Sequence, residues 1–271
     1  MVTAPELSVV IVSYNSGKTL PACLKSIEAT VSRSHEVIVV DNGSSDGSLE
    51  RVRADFPGVQ VVEGAANRGY AAANNSGLGR ARGAWAALVN PDIELLPDAL
   101  DRLISTLEAT PQLAAAGPAL VWPEGEPQPY SHGGDPSPAY LLQRALTRLA
   151  GRSLHRWAGG PTRTVDWVSG ACLVARRSAL EQVGGLDEDF FLYFEDVDLG
   201  RRLRQRGWRI AFVPSATAVH HSRPSYADRK RRERYQRSLL RYYGKHYGAL
   251  ATWSLRLSLA VVAHLPTEGF R

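Results

Sequence analysis

The chain has 271 residues, of which 44% are hydrophobic and 8% aromatic, with a formal net charge of +5. That length can bury a substantial core and fits one large domain, or one domain with an extension, and the composition is that of a soluble globular protein. Cys23 and Cys172 sit in apolar contexts without CxxC spacing, which argues against a disulfide framework and a thiolate zinc site and points to a reducing, cytosolic location.

Residues 1–6 pass directly into a strand-like run, with neither the basic start nor the long apolar stretch of a secretory signal. Leu7 to Tyr14 (LSVVIVSY) and Glu36 to Asn42 (EVIVVDN) are continuous β-branched runs, the pattern of parallel strands buried on both faces. A helix is expected between them, over Lys18 to Ala29. Val59 to Val62 and Ala84 to Asn90 repeat the strand pattern around a helical stretch from Ala71 to Arg82, so the first half reads as a doubly wound α/β sheet. Ligands of such sheets bind beyond the carboxyl ends of the strands, and here those ends carry Asn15, Asp41-Asn42-Gly43 and Asn90-Pro91-Asp92.

Pro123 to Thr164 is rich in Pro, Gly and polar residues and reads as a variable loop region over the rim, with one helical island from Ala139 to Leu149. Val165 to Arg176 returns to strand character, and Arg209 to Val213 predicts a further strand ending near His220-His221. A long basic helix follows from about Asp228 to Tyr247, then a mainly apolar one from Ala249 to Leu265. The last is marginal for spanning a bilayer and better suited to lying in its interface. Residues 201–271 hold 16 Lys or Arg against 3 acids, so an acidic body carries a basic tail. Such a tail suits an anionic partner, a membrane surface or nucleic acid, or is simply a solvated helix face.

Several constellations could carry chemistry. The turn Asp41 to Gly47 can present amides and carboxylates to a base or ribose, or is a plain strand-to-helix turn with Asp46 as its cap. Asn67-Arg68-Gly69-Tyr70 and Asn74-Asn75 open the next helix, where an amide-rich terminus suits phosphate. Asp92 closes a buried strand and suits a hard divalent cation, Mg²⁺ or Mn²⁺, to which His220 or His221 could add an imidazole. Glu195, Asp196 and Asp198 crowd together after the aromatic run Phe190 to Phe194, where repulsion and an apolar wall raise a carboxylate towards the range of a general base. The same acids, with arginines behind them and Gly207 beyond, also make a well-capped helix. GxGxxG after the first strand, the GxxxxGK[ST] loop and HExxH are absent, which disfavours a dehydrogenase, a P-loop enzyme and a zincin.

Five blocks in order, SVVIVSYN from Ser8, VIVVDNGSSDGS from Val37, NRGYAAANN from Asn67, LVNPD from Leu88 and VDWVSGACLVARR from Val165 leading into GGLDEDFFLYFEDVDL, resemble family 2 glycosyltransferases. The match runs to about Ser225 and is most similar to the bacterial rhamnosyltransferase-like branch. The resemblance implies a GT-A fold, a Rossmann-like and mostly parallel sheet with helices on both faces, over residues 1–225. Its nucleotide-binding half would be about 1–121 and its acceptor half about 122–225, with residues 226–271 as a helical extension. It further implies an inverting enzyme of cell-envelope polysaccharide synthesis that moves a sugar, L-rhamnose by branch, from a nucleotide-diphosphate donor to a glycan or polyprenyl-diphosphate-linked acceptor.

Ser13, Tyr14, Asn15, Asp41, Asp46, Asn67, Gly69 and Asn90 would then form the donor pocket. Asp92 would bind the Mn²⁺ or Mg²⁺, with His220, by its spacing to Ser225, preferred to His221 as second ligand. Asn-Pro-Asp stands where many GT-A enzymes have Asp-x-Asp, so one carboxylate replaces two. Asp196 matches the family's base, with Glu195 and Asp198 as supports, and Asp166 and Trp167 could line the acceptor site, unless Trp167 only closes a strand end. The tail would dock the enzyme on the inner face of the cytoplasmic membrane through 229–234 (RKRRER) and through Trp253, Leu255, Leu257 and Leu259. No RNA or DNA module accompanies the tail, so a nucleic-acid partner is not expected, and a degenerate, non-catalytic sugar-nucleotide-binding scaffold is the main alternative to an enzyme.

Overall fold

The structure, a computed structural model, describes residues 4–152, 157, 159–221 and 229–263. Ser225, the end of the expected transferase match, lies outside the described residues. In chain order the first half runs β1 (Leu7–Ser13), α1 (Leu20–Thr30), β2 (His35–Asp41), α2 (Ser48–Asp55), β3 (Gln60–Glu63), α3 (Tyr70–Leu78), β4 (Trp85–Val89), β5 (Ile93–Leu95), α4 (Ala99–Ala109) and β6 (Leu113–Val121). Then come β7 (His132–Gly133), α5 (Pro138–Leu149), β8 (Arg163–Val165), β9 (Trp167–Val168), β10 (Cys172–Arg176), α6 (Arg177–Gln182), α7 (Glu195–Gln205), β11 (Arg209–His220), α8 (Arg229–His246) and α9 (Gly248–Ala263).

Nine strands form one mixed sheet, ordered β3-β2-β1-β4-β10-β6-β11-β5, with β8 pairing β11. β1 pairs in parallel with β2 and β4, and β2 with β3, while β10 runs antiparallel between β4 and β6. Every residue of β1 is buried, because alternate side chains feed two cores on opposite faces. Leu7, Val9 and Ile11 pack with α1, α2 and α4, whereas Val10 and Val12 pack with α3, α6 and α7. The doubly wound α/β expectation therefore holds. Gly77 lets α3 lie close on the sheet, since a Cβ there would come within 2.4 Å of Val10 Cγ1.

One reading needs correction. The run Val165 to Arg176 is not one strand: a turn at 169–171 separates β9 from β10, and β8 and β9 pair with different partners. β11 runs through a register shift between Val213 and Thr217 to His220, the end expected for it. The expected helical extension begins with α8, which packs on the rest of the chain. Leu239, Tyr242 and Tyr243 bury against Phe190, Phe194 and Val197, forming a third core beneath the start of α7.

Candidate active site

The β1 and β2 ends form the first wall. Asp41, buried at the end of β2, accepts from the Gly43 and Ser44 amides at 3.2 and 3.1 Å, so its carboxylate folds the following turn. Asn15, in the left-handed region at φ 52°, donates its N–H to Ser44 Oγ at 2.9 Å and accepts from the Ser45 amide at 2.8 Å. Asp46 accepts from the Gly17 amide at 2.9 Å and the Ser48 amide at 3.1 Å, and the Ser48 side chain first, then the Gly17 amide, hold its carboxyl below the usual range. Gly47, not Asp46, takes the cap position of α2. Tyr14 stands half exposed beside this turn, and the Ser13 hydroxyl is buried without a hydrogen-bond partner.

The second wall is the loop before α3. Asn67 Oδ1 accepts from Asn42 Nδ2 and from the Gly69 amide, both at 3.0 Å, and Asn42 Oδ1 accepts from the Arg68 amide at 2.9 Å. Gly69 sits at φ 92°, and a Cβ there would lie 2.6 Å from the Phe191 carbonyl oxygen. That carbonyl accepts from the Tyr70 amide at 2.7 Å. The loop before α3 is thereby clamped onto the segment that leads to the acidic cluster.

Asp196 stands at the start of α7, partly buried. Its Oδ2 accepts from the Gly170 amide at 2.9 Å, and the Gly170 carbonyl accepts from the Tyr70 hydroxyl at 2.6 Å. One residue, Gly170, thus links Tyr70 to the carboxylate through its N–H and its carbonyl. Burial raises the pKa of Asp196, against the lowering effect of the Gly170 and Val197 amides. Glu195 is pushed well above the usual range by burial and then by the charge of Asp196, and its Oε2 is buried without a hydrogen-bond partner. Two neighbouring carboxyls whose charged forms are disfavoured titrate as a pair, leaving one available as a base nearer neutral pH. Tyr193 and Phe194, immediately before the pair, both lie in the left-handed region, at φ 70° and 68°. Each costs on the order of 1 kcal/mol or more, so packing has to hold them.

Asp92 and His220 meet across the β5–β11 edge, with Asp92 Oδ1 3.3 Å from His220 Nε2. His220 Nδ1 donates to Gln128 Oε1 at 2.8 Å, which leaves Nε2 with its lone pair towards Asp92. Two ligands at right angles on bonds of about 2.1 Å lie about 3 Å apart, so the pair fits adjacent corners of a hard divalent ion. His221 turns away to Glu94 at 3.0 Å. Cys172 is pushed up to about 12 by burial and Cys23 is raised further for the same reason, so both thiols stay protonated and neither competes as a ligand. Among the described residues no cluster of three His, Cys, Asp or Glu side chains could hold a metal, so a cation here would complete its shell from a substrate diphosphate and water. Asn90 lies at the adjoining strand end: its amide donates to the Ala171 carbonyl at 2.8 Å, while its Oδ1 is buried without a hydrogen-bond partner.

Three of the expected site residues make their bonds within the protein. Asp198, expected beside Glu195 as a support of Asp196, is held by an ion cluster. It is fully buried on the far side of the first turn, where its oxygens meet Arg202 at 2.6 Å and Lys245 and His246 at 2.7 Å each. Asp166, whose side chain is 39% exposed, and Trp167, expected at the acceptor side, bond to the 133–135 turn and to α7. Asp166 Oδ2 accepts from the Asp135 amide at 2.7 Å and Oδ1 pairs with Arg204, while the indole donates to the Gly134 carbonyl at 2.9 Å. Gly133 and Gly200 lie so close that a Cβ on either would come within 3 Å of Trp167, so its face is covered by chain. Sequence reasoning missed Gln128, Tyr70 and Gly170, whose roles depend on contacts across 92, 100 and 26 residues.

The sequence model of glycosyl transferase family 2 matches residues 8–184, and that of glycosyl transferase family group 2 matches 139–268. A curated relative, the N-acetylglucosaminyl-diphospho-decaprenol L-rhamnosyltransferase of Mycobacterium tuberculosis, is 33% identical over 96% of this chain and 92% of its own. The chain is a family 2 glycosyltransferase. Among solved structures, the transferase resembles GalNAc-T7 with UDP, GalNAc and Mn²⁺ at TM-score 0.65 and 17% identity, over 90% of this chain and 48% of that one. It also resembles the mannosyltransferase PcManGT of Pyrobaculum calidifontis with GDP-Man and Mn²⁺ at TM-score 0.63 and 21% identity, over 92% and 66%. Both likenesses bear out the GT-A fold, and the enzyme spans about half of the first chain and two thirds of the second.

Proposed function

We propose that this transferase moves L-rhamnose, with inversion, from deoxythymidine-diphosphate-rhamnose to a hydroxyl of a saccharide carried on a polyprenyl diphosphate. Support for the substrates comes from the mycobacterial relative, which is named for that sugar and for a decaprenyl-diphosphate-linked N-acetylglucosamine and aligns over nearly the whole of both chains. The carrying observation for the chemistry is Asp196, a carboxylate with raised pKa held on the Gly170 amide beside the donor loop. Asp196 takes the proton of the acceptor hydroxyl as it attacks the anomeric carbon, and the diphosphate leaves. Ser13, Asn15, Asp41, Asp46, Asn67 and Gly69 shape the nucleotide pocket, with Tyr14 and Asn90 at its rim. Asp92 and His220 would hold a divalent cation, Mn²⁺ favoured by the imidazole, which supplies charge neutralisation for the departing diphosphate. The nucleotide half is about 1–121 and the acceptor half about 122–225.

The assay is incubation with deoxythymidine-diphosphate-rhamnose, Mn²⁺ and a short-chain N-acetylglucosaminyl-diphospho-prenol. One nucleoside diphosphate released per rhamnosyl lipid formed is expected. Consumption of a uridine- or guanosine-diphosphate sugar but not of the rhamnose donor would overturn the substrate assignment.

The acceptor chemistry places the enzyme at a membrane surface on this reading. No helix among the described residues is long and apolar enough to cross a membrane. α9 instead exposes Leu250, Trp253 and Leu257, while Leu255, expected at the interface, packs inward on the third core. Arg229, Arg232 and Arg234 on α8 are exposed, which suits anionic headgroups. Full-length protein should float with anionic liposomes at low salt, and protein left in the soluble fraction would remove this part of the proposal.

A further inference from the structure

The oxygens of the fully buried Asp198, two residues beyond Asp196, are the focus of a charge cluster. Lys245 Nζ lies 2.7 Å from Asp198 Oδ1 and 2.6 Å from Asp187 Oδ2. One ammonium therefore closes both ends of the stretch 187–198, which contains Glu195 and Asp196. His246 Nε2 meets the same Asp198 oxygen at 2.7 Å, and Arg202 braces the other oxygen from within α7.

The middle of that stretch is held from α8 as well. Ser238 Oγ donates to the Leu192 carbonyl at 2.8 Å, the last peptide before the two left-handed residues. Phe194 packs 5.7 Å from the fully buried ring of Tyr242, and the Tyr193 hydroxyl accepts from Arg231. Two adjacent non-glycine residues at positive φ relax unless their surroundings over-determine them. Here α8 supplies several of those surroundings, through Arg231, Ser238 and Tyr242.

We propose that α8 is a clasp that sets the Tyr193–Phe194 kink, and that Lys245, with Ser238 and His246, positions Asp196 for proton abstraction without touching substrate. The positioning rests on the reading of Asp196 as the base. When the kink relaxes, the first turn of α7 rotates and Asp196 Oδ2 leaves the Gly170 amide. A displacement of about 1 Å at a reacting group lowers rate on the order of a hundredfold while leaving donor binding intact. A merely structural α8 would lower thermal stability and leave turnover unchanged below the unfolding temperature.

The test compares full-length wild type with Lys245→Met, Lys245→Arg and Ser238→Ala. Amide hydrogen exchange and turnover of deoxythymidine-diphosphate-rhamnose with the prenyl-linked acceptor are both read. Lys245→Met should speed exchange at least tenfold across 189–198 but not across 7–13 or 35–41, and should lower kcat about tenfold to a hundredfold with donor KM within about twofold. Lys245→Arg should recover most of both. Should the Met variant fail to fold, Ser238→Ala carries the comparison, with a smaller effect of the same pattern. Unchanged exchange across 189–198 overturns the clasp, and faster exchange with unchanged kcat overturns its positioning role. Absence of wild-type turnover would refute the rhamnose reading instead, and the exchange comparison would still decide the clasp.

Discussion

Replacing Gln128 by Leu tests the cation site through a residue that would not touch the cation. Gln128 is 6% exposed, and its Oε1 accepts from His220 Nδ1 at 2.8 Å. Its own amide donates to the Leu120 carbonyl at 2.8 Å, so the main chain stays anchored when the side chain changes. Leucine fills similar volume but cannot accept, so the imidazole loses the bond that fixes its tautomer and ring plane. Partners of this kind are worth about 10- to 100-fold in metal affinity, or about 1.4–2.7 kcal/mol. The assay is turnover against Mn²⁺ concentration: the half-saturating concentration should rise by about that factor, with kcat at saturating Mn²⁺ within a few-fold of wild type. An unchanged half-saturation would refute the placement of His220 Nε2 in the cation shell.

Further outcomes follow from the same geometry. Gly69→Ala puts a Cβ 2.6 Å from the Phe191 carbonyl at a positive φ, so the denaturation midpoint should fall by the equivalent of about 2 kcal/mol or more, with weaker nucleotide binding; an unchanged midpoint contradicts the close approach. Glu195 has a folded pKa raised above its unfolded value, so the folded state binds more protons and wild-type stability declines as pH rises above about 4.3 towards the folded value. Glu195→Gln removes that decline. The variant's melting-temperature advantage should therefore grow from about pH 4.5 to pH 7, and a constant difference would count against the burial argument. For the rate, Asp196 works ionised and its pKa is raised, so kcat should climb with pH along a limb displaced upward from the ordinary aspartate value of about 3.9.

The elements that the sequence revealed are those whose burial is symmetrical. LSVVIVSY and EVIVVDN carry unbroken apolar centres, Val9–Val12 and Val37–Val40, because both faces of β1 and β2 are covered, and no helix pattern competes with them. β6, LAAAGPALV, lies at the sheet's centre but reads as an alanine-rich stretch broken by Gly-Pro. Gly117 is there because a Cβ would come within 2.7 Å of Val168 Cβ, and Pro118 sits where β11 shifts register, neither of which shows in local pattern. The candidate site divides in the same way. Asp41, Asp92 and Asp196 stand beside recognisable strands or helix starts, and the spacing to Ser225 favoured His220 over His221, as the Glu94 contact of His221 also does. The contacts of Asp166 and Trp167 were not legible, because their neighbours Gly133, Gly200 and Arg204 come together only in three dimensions. The partners of Asp198 were hidden for the same reason: Lys245 and His246 lie in a segment that looks like nothing more than a basic helix.

The central claim is that Asp196 is the base of a glycosyl transfer. Asp196→Asn keeps size and one acceptor for the Gly170 amide while removing basicity, so it isolates proton abstraction from packing. Turnover of the rhamnose donor onto the prenyl-linked acceptor should fall by about 10²- to 10⁴-fold, while the dissociation constant of the nucleotide, measured by calorimetry, stays within about twofold. Turnover within a few-fold of wild type would contradict the account.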